Sequence, residues 1–129
     1  MTKRIHDILL ELGVPANLKG HEALAIGIDL VISDPTYLDR GVTTRLYPEI
    51  AQRMSVPTTA PRVERAMRHA IEYVYDNTTS DVLQYYFGNT ASLRKGKLTN
   101  SQFIAQVALK IRDLGGNVKC RTLNFLQPI

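Results

Sequence analysis

Apolar residues recur with helical spacing along most of the chain, and glycine, proline or short polar runs separate the segments. Between Thr58 and Asn77, the apolar residues fall at the i, i+3, i+4 and i+7 positions that form one face of a helix. Similar stripes run through residues 2–13, 20–33, 42–54, 80–86 and 100–114. No two segments alternate as a pair of strands would. The pattern therefore predicts an all-α fold.

Glycine and proline indicate where several of these helices end. Gly13 is predicted to end the first helix, and Pro35 the second, because proline disfavours helical geometry in the residue before it. Residues 37–40 are predicted to be a short connector. Pro48 lies inside the stretch 42–54, where either the helix kinks or a new helix begins. We favour a continuous helix with a local distortion at this proline.

The stretch 42–54 and the helix after it have the pattern of a helix-turn-helix. A tight connection at residues 55–58 joins them, and the small Ala51 lets them approach closely. Thr59 is the predicted N-cap of the second helix, with Pro61 in its first turn. An αα-hairpin would give the same pattern. The helix-turn-helix is favoured because a basic cluster lies at the start of the second helix, the end that enters a DNA groove.

The outer face of this second helix is rich in nitrogen atoms. Arg62, Arg65 and His69 lie together opposite the apolar stripe, with Arg68 beside them. Each guanidinium group presents a planar fork of donors that matches guanine edges and phosphates. The pattern indicates a recognition helix for the DNA major groove, although a solvated basic face is the commoner origin of such a cluster. The turn before the helix favours the first interpretation.

The composition fits a single domain with a polyanionic partner. The chain has 129 residues, a formal net charge of +4 and a pI near 9.4. Its single cysteine, Cys120, cannot form an internal disulfide, and no membrane span or signal peptide is evident, so we expect a cytoplasmic protein. Residues 1–116 are predicted to form the DNA-binding domain, and residues 117–129 a tail whose structure the sequence leaves open.

Motifs for catalysis or cofactor binding are not evident. His6, His21 and His69 are scattered, and none has Cys, Asp or Glu at metal-ligand spacing. The sequence contains no P-loop, no dinucleotide fingerprint and no nucleophile elbow. We therefore expect no enzyme activity, no metal and no cofactor, and we interpret His6 and His21 as structural residues.

Four segments carry a more specific signal, namely Glu11–Ala16, Leu46–Ala51, Arg62–Glu72 and Thr99–Ala105. Together they resemble the effector domain of the stage-zero sporulation response regulator A, the master transcription factor of endospore formation. The resemblance runs from about Arg4 to Leu114. Its most specific part is the run Arg-Val-Glu-Arg-Ala-x-Arg-His-Ala-Ile.

The resemblance implies a six-helix all-α domain that binds boxes of the TGTCGAA type in double-stranded DNA, often as a tandem homodimer. It also implies transcription regulation, leaves RNA polymerase open as a further partner, and implies activation through a receiver domain. No phosphoacceptor region precedes Lys3, so we do not expect direct phosphorelay control of this chain. Pro61 stands where the family commonly has a small polar residue.

The resemblance and the helical spacing agree on a groove-facing set. Arg62 and Arg65 are assigned to guanine edges or adjacent phosphates. Glu64 has two candidate roles, accepting from a cytosine amino group or pairing with Arg68 at the edge of the set. His69 is assigned as a donor to a base or a phosphate. Further candidates for phosphate contacts, with loop solubility and helix capping as their alternative roles, are Lys95, Lys97, Asn100 and Ser101.

Two other classes of protein fit the pattern less well. A helical protein-interaction module would use the basic helix to bind an acidic partner, and sequence-dependent duplex binding at physiological salt distinguishes it from a DNA reader. A helical enzyme would need a pocket of convergent polar groups, which the sequence does not indicate.

Overall fold

The computed structural model describes residues 2–39, 41–88 and 98–112. Its helices are α1 (Thr2–Glu11), α2 (Lys19–Ser33), α3 (Thr36–Asp39), α4 (Tyr47–Arg53), α5 (Ala60–Asn77), α6 (Ser80–Phe87) and α7 (Asn100–Ile111), and a π-helical turn at Val42–Leu46 leads into α4. Within the described ranges no residue belongs to a strand, so the predicted all-α fold is confirmed. Each predicted helical stretch contains one of the longer helices, and α3 is an additional single turn.

Helix α2 lies at the centre of the domain and packs against α1, α3, α4, α5 and α7. Its apolar residues occupy most of its sides, and Leu24 and Ile28 are fully buried. Gly20 permits a close approach of α5, because a Cβ at this position would lie 2.4 Å from the Ala66 carbonyl oxygen and 2.6 Å from the Ala70 Cβ. The bare backbone at Gly20 therefore lets α5 lie directly against α2.

The apolar stripes of the helices meet in one core. Three positions predicted on buried faces, Val42, Ala66 and Val82, are only partly buried. The largest fully buried side chains are Phe103, Ile5, Leu9, Leu12, Leu24, Ile28, Leu46, Ile50, Met67, Ile71, Ile104 and Ile111. They come from α1 and the residue that follows it, from the π turn, and from α2, α4, α5 and α7. The core therefore fixes the orientation of α5 from several sides.

Gly13 ends α1 as the sequence predicts. Its φ of 93° is in the left-handed region that favours glycine. The N–H of Gly13 donates to Leu10 at 3.0 Å, and that of Val14 donates to Leu9 at 2.9 Å. This Schellman pattern satisfies carbonyl groups that the helix end would otherwise leave without partners.

Residues 42–53 form one helical run with a local distortion, the alternative favoured from the sequence. In the π turn the Leu46 N–H donates to the Gly41 carbonyl at 2.7 Å, five residues back. Pro48 follows in the first turn of α4. A proline ring presses on the carbonyl of the preceding turn in a regular α-helix, and the wider π turn relieves that conflict.

The connector predicted at residues 37–40 overlaps the single turn of α3. The carboxylate of Asp34 accepts from the Thr36 N–H at 3.1 Å and thereby caps this turn. Arg45 of the π turn holds the turn from outside, with its guanidinium 4.5 Å from the centre of the Tyr37 ring and 3.5 Å from Asp34. These side-chain contacts stabilise a helical turn that has no apolar stripe of its own.

Several parts of the sequence prediction lie outside the described residues. They are the tail at 117–129, the end of the predicted domain at 113–116, Arg40 of the predicted connector, and the loop at 89–97, which contains Lys95 and Lys97. In the described part of the chain, no helix combines the length and the apolar character needed to cross a bilayer.

Candidate nucleic-acid interface

One face of helix α5 is apolar and the opposite face is basic, as the spacing of its residues predicts. Its buried side chains are Val63, Met67, Ala70, Ile71 and Val74. On the other side, the exposed residues Arg62, Arg65, Arg68 and His69 point to solvent, and Glu64 is partly exposed. The structure therefore presents the predicted groove-facing set on one outward surface, which we call the basic face (Arg62, Glu64, Arg65, Arg68 and His69).

The arginines of the basic face differ in their partners. The guanidinium of Arg68 lies 3.7 Å from the Glu64 carboxylate, one helical turn away. Both side chains are about half exposed, so water and salt screen this pair and leave it weak. Within the described residues, Arg62 and Arg65 form no ion pair. Their donors are therefore available to an external acceptor.

Asn100, the first residue of α7, fixes the middle of the basic face. Its side-chain amide donates to the main-chain carbonyl of Glu64 and to the hydroxyl of Tyr47, both at 3.1 Å. One amide thus joins α4, α5 and α7. Burial raises the pKa of the Tyr47 hydroxyl, and the hydrogen bond from Asn100 opposes that rise.

A cleft of about 360 Å³ lies between α4, α5 and the start of α7. Its lining includes Glu64, Arg68, Asn100 and Ser101, so the structure brings these four predicted site residues together. Thr99 caps α7 beside the cleft and forms a capping box with Gln102. The amino end of α7 therefore faces the same side of the domain as the basic face.

Arg62 lies apart from this cleft, at the other end of the basic face. It lines a smaller cleft of about 200 Å³ together with the turn at residues 54–58 and with Lys19 and Glu22 of α2. Lys95 and Lys97, the other predicted phosphate contacts, belong to the loop outside the described residues.

The turn between α4 and α5 is attached to the rest of the domain at two points. The carboxylate of Glu22 accepts from the Ser55 N–H at 2.8 Å and from the Ser55 hydroxyl at 3.1 Å. The Thr58 N–H donates to the Ala51 carbonyl at 3.2 Å. These bonds connect the turn to α2 and to α4.

Thr59 occupies the predicted N-cap position of α5, but its side chain makes no capping hydrogen bond. An N-cap side chain accepts from the second or third residue of its helix. The second residue of α5 is Pro61, which has no N–H to donate. The first turn of α5 consequently lacks a side-chain cap, and its position depends on the turn before it.

Near its carboxyl end, α5 is attached to α1. The hydroxyl of Thr78, the C-cap residue, donates to the main-chain carbonyl of Leu12. Together with the close contact at Gly20, this bond fixes the axis of the helix along most of its length. The basic face is therefore mounted on a rigid support.

A family model described as the sporulation initiation factor Spo0A C terminal matches residues 5–111. The match begins in α1 and ends on the last residue of α7, so it takes in the helical core and the basic face. This chain belongs to that family. The resemblance that four sequence segments carry is thus confirmed.

The Spo0A C-terminal family comprises DNA-binding regulatory domains of sporulation rather than enzymes. The chain is accordingly a DNA-binding domain of the response-regulator effector type that acts in transcription regulation. Within the described residues, no group of three or more His, Cys, Asp or Glu side chains is arranged to hold a metal ion.

The sequence does not predict that two residues, Glu22 and Tyr47, support this Spo0A-type surface. One feature of the sequence could have pointed to Glu22, because a carboxylate in a helix that is apolar on most sides needs a polar partner. Tyr47 falls on the apolar stripe of the stretch 42–54, and that spacing predicts burial but no hydrogen-bond partner. Their partners, Ser55 and Asn100, are distant in sequence, so local spacing could not pair them.

Proposed function

We propose that this Spo0A C-terminal family domain recognises a short box in double-stranded DNA by inserting α5 into the major groove, with α4, the turn and α5 acting as a helix-turn-helix. One observation carries the proposal. Arg62 and Arg65 project from the exposed face of a helix whose opposite face is buried, and neither forms an ion pair among the described residues. Unpaired guanidinium groups on a rigid support suit guanine edges and the phosphates beside them.

The residues of the basic face then divide the work. Arg62 and Arg65 donate to guanine edges or to adjacent phosphates, and His69 donates to a base or a phosphate. The exposed pair of Glu64 and Arg68 is weak enough to separate when DNA arrives. Glu64 then accepts from a cytosine amino group, and Arg68 contacts a phosphate at the edge of the groove.

Phosphate contacts outside α5 come from the amino end of α7 and from the loop before it. Ser101 offers its hydroxyl, and the free N–H groups of the first helical turn attract an anion. The side-chain amide of Asn100 is already engaged with Glu64 and Tyr47, so Asn100 contributes through its main chain. In this proposal Lys95 and Lys97 supply the remaining positive charge, which increases affinity for any sequence.

The proposal extends to the target and the assembly. The preferred site is a box of the TGTCGAA type, occupied by two copies of the domain in tandem, and the bound domain meets RNA polymerase at the promoter. These parts rest on the family resemblance rather than on a contact within this chain.

Selection of bound sequences from a random duplex library, at physiological salt, tests the proposal. We expect a TGTCGAA-like box to be enriched, and each base change in it to weaken binding by about 1–3 kcal/mol. A duplex with the same base composition in scrambled order serves as the control. Equal binding to both duplexes would contradict sequence-specific recognition, and tight binding to acidic protein surfaces alone would favour the protein-interaction module instead.

A further inference from the structure

We propose that Glu22 is a positioning residue for DNA recognition, because its carboxylate sets the geometry of the turn that leads into α5. The inference concerns the same surface as the proposed function and rests on it. Glu22 itself needs no contact with DNA. It acts through Ser55, the residue that follows the C-cap of α4.

Both oxygens of the Glu22 carboxylate bind the same residue. One accepts from the Ser55 N–H at 2.8 Å and the other from the Ser55 hydroxyl at 3.1 Å. Ser55 directly follows Met54, whose extended backbone (φ −62°, ψ 148°) ends α4. The Ser55 N–H has thus left the helical hydrogen-bond ladder and requires an acceptor from elsewhere, which Glu22 supplies as a charged group.

The electrostatic setting of Glu22 indicates that its carboxylate does not serve to form an ion pair with a basic side chain. Glu22 lies on the boundary of two clefts, one lined by Lys19 and Arg62 and the other by His6, Asp29 and Arg53. Among the described residues, Glu22 nevertheless forms no ion pair. A negative charge close to Arg62 weakens the attraction for phosphates. That cost is offset only if the carboxylate performs another task, and its two bonds to Ser55 identify the task.

The position of Arg62 depends on this turn more than on the helix start. Thr59 provides no side-chain cap, and Pro61 has no N–H, so only the main-chain bond from the Val63 N–H to the Thr59 carbonyl closes the first turn of α5. Only Val56, Pro57 and Thr58 separate the Ser55 contact from Thr59. Base recognition requires side chains to be held within about 0.5 Å of their working geometry. Release of Ser55 therefore loosens the amino-terminal end of the basic face.

The experiment compares Glu22→Ala with Glu22→Gln in titrations on a preferred duplex and on its scrambled counterpart. We expect Glu22→Ala to weaken binding to the preferred duplex by about threefold to tenfold, which lies in the lower part of the range of coupling between residues in direct contact. Binding to the scrambled duplex should change by less than about twofold, because phosphate contacts tolerate a looser helix. Glu22→Gln should retain most of the preference, since its amide oxygen can accept from the Ser55 N–H and its NH₂ can donate to the Ser55 hydroxyl.

Two further readouts separate positioning from general stability. Amide hydrogen exchange at Ser55 should accelerate in Glu22→Ala while the helix amides of α5 beyond its first turn remain protected. Ser55→Ala removes only the hydroxyl half of the contact, so its effect on preferred-duplex affinity should be smaller in the Glu22→Ala background than alone. If Glu22→Ala proves too unstable to titrate, the comparison of Ser55→Ala with Glu22→Gln measures the same contact.

The outcomes distinguish this inference from the proposed function. If the unsubstituted domain shows no sequence preference, the proposed function fails. If it shows a preference that Glu22→Ala leaves unchanged, or if Glu22→Ala strengthens binding to both duplexes equally, Glu22 acts only as a local charge and the inference fails. Unchanged hydrogen exchange at Ser55 would also overturn it.

Discussion

Asn100 donates a hydrogen bond of 3.1 Å from its side-chain amide to the main-chain carbonyl of Glu64, in the centre of the basic face. The two residues lie 36 positions apart in the chain. The bond connects the first residue of α7 to α5 and gives Asn100 a role in supporting the DNA-binding surface. Its expected consequences differ from those of a phosphate contact.

We expect Asn100→Ala to lower the free energy of unfolding by about 1 kcal/mol, because Glu64 and Tyr47 both lose a hydrogen-bond partner. Binding to a preferred duplex should weaken without a change in its salt dependence, since no phosphate contact of the side chain is lost. Urea unfolding and titrations at several salt concentrations measure both quantities, with Gln106→Ala in the same helix as the control. A reduced salt slope at unchanged stability would instead assign the side chain to a phosphate.

Arg65→Ala should reduce sequence preference more than it reduces non-specific binding. A bidentate arginine–guanine pair contributes about 1–3 kcal/mol of discrimination, and Arg65 is exposed with no ion pair among the described residues. Mobility-shift titrations on boxed and scrambled duplexes measure the difference. Arg4→Ala, which removes an exposed arginine from α1, is the matched control. Equal losses on the two duplexes would indicate that Arg65 contacts only the DNA backbone.

Lys97→Ala should weaken binding to every duplex by a similar factor. Each phosphate contact that is lost lowers the slope of log K against log salt by about one unit. Titrations between low and physiological salt on boxed and scrambled DNA measure that slope. An unchanged slope would remove Lys97 from the interface.

Gly20→Ala should destabilise the domain through the contact between α2 and α5. The added Cβ would lie 2.4 Å from the Ala66 carbonyl oxygen, which as a backbone atom cannot move aside alone. Overpacking of this kind costs about 1–3 kcal/mol. Chemical denaturation measures the loss, and Lys19→Ala, at the exposed neighbouring position, controls for substitution in the same turn. A stability equal to that of the unsubstituted domain would show that α5 can shift freely over α2.

The buried side chain of His21 should make stability depend on pH. His21 is 3% exposed, with its Nδ1 3.1 Å from the Val14 carbonyl oxygen and its Nε2 2.8 Å from Nδ1 of His6. In neutral His21, Nδ1 donates to the Val14 carbonyl and Nε2 accepts from Nδ1 of His6. Burial lowers the pKa of His21, although the bond to the Val14 carbonyl opposes this effect.

The unfolded chain therefore binds a proton at His21 more readily than the folded chain does. The contribution of neutral His21 to the free energy of unfolding is fully present above the unfolded pKa of about 6.5. It is lost as the pH falls below that value, by at most about 1.4 kcal/mol per pH unit. Urea unfolding at pH 7.5 and pH 5.5 measures the change. His21→Gln should flatten the dependence, whereas His69→Gln, on the exposed basic face, should retain it. Equal slopes in both variants would exclude His21 as the source.

Most helices follow from local signals in the sequence. The apolar spacing from Val63 to Val74 predicts α5 because a buried helix face requires that period. Gly13 and the capping box of Thr99 are equally local, since each involves residues within a few positions of one another. At Pro48 the sequence favours a continuous helix over a new helix but does not decide between them. The choice depends on the hydrogen bonds of the turn before the proline.

The support of the basic face could not be derived in this way. The contacts Glu22–Ser55 and Asn100–Glu64 join residues more than 30 positions apart, and periodicity carries no information about such pairs. At Thr59, by contrast, the sequence predicts a contact that the structure does not contain. Its residue type favours a capping hydrogen bond, but Pro61 at the second helical position removes one of the two N–H groups that it could bind. The sequence thus predicts which face is basic, whereas the tertiary structure shows what holds that face in place.

The π turn at Val42–Leu46 contains one residue more than an α-helical turn of similar rise would need. Because each residue of an α-helix rotates the chain by about 100°, this extra residue changes the angular relation between the two ends of the run. Arg45 can face Asp34 and Tyr37 while Tyr47, two positions later, reaches Asn100. A homologous chain shortened by a single position here must give up one of these two attachments, so alignments of this family should place their gaps outside this turn.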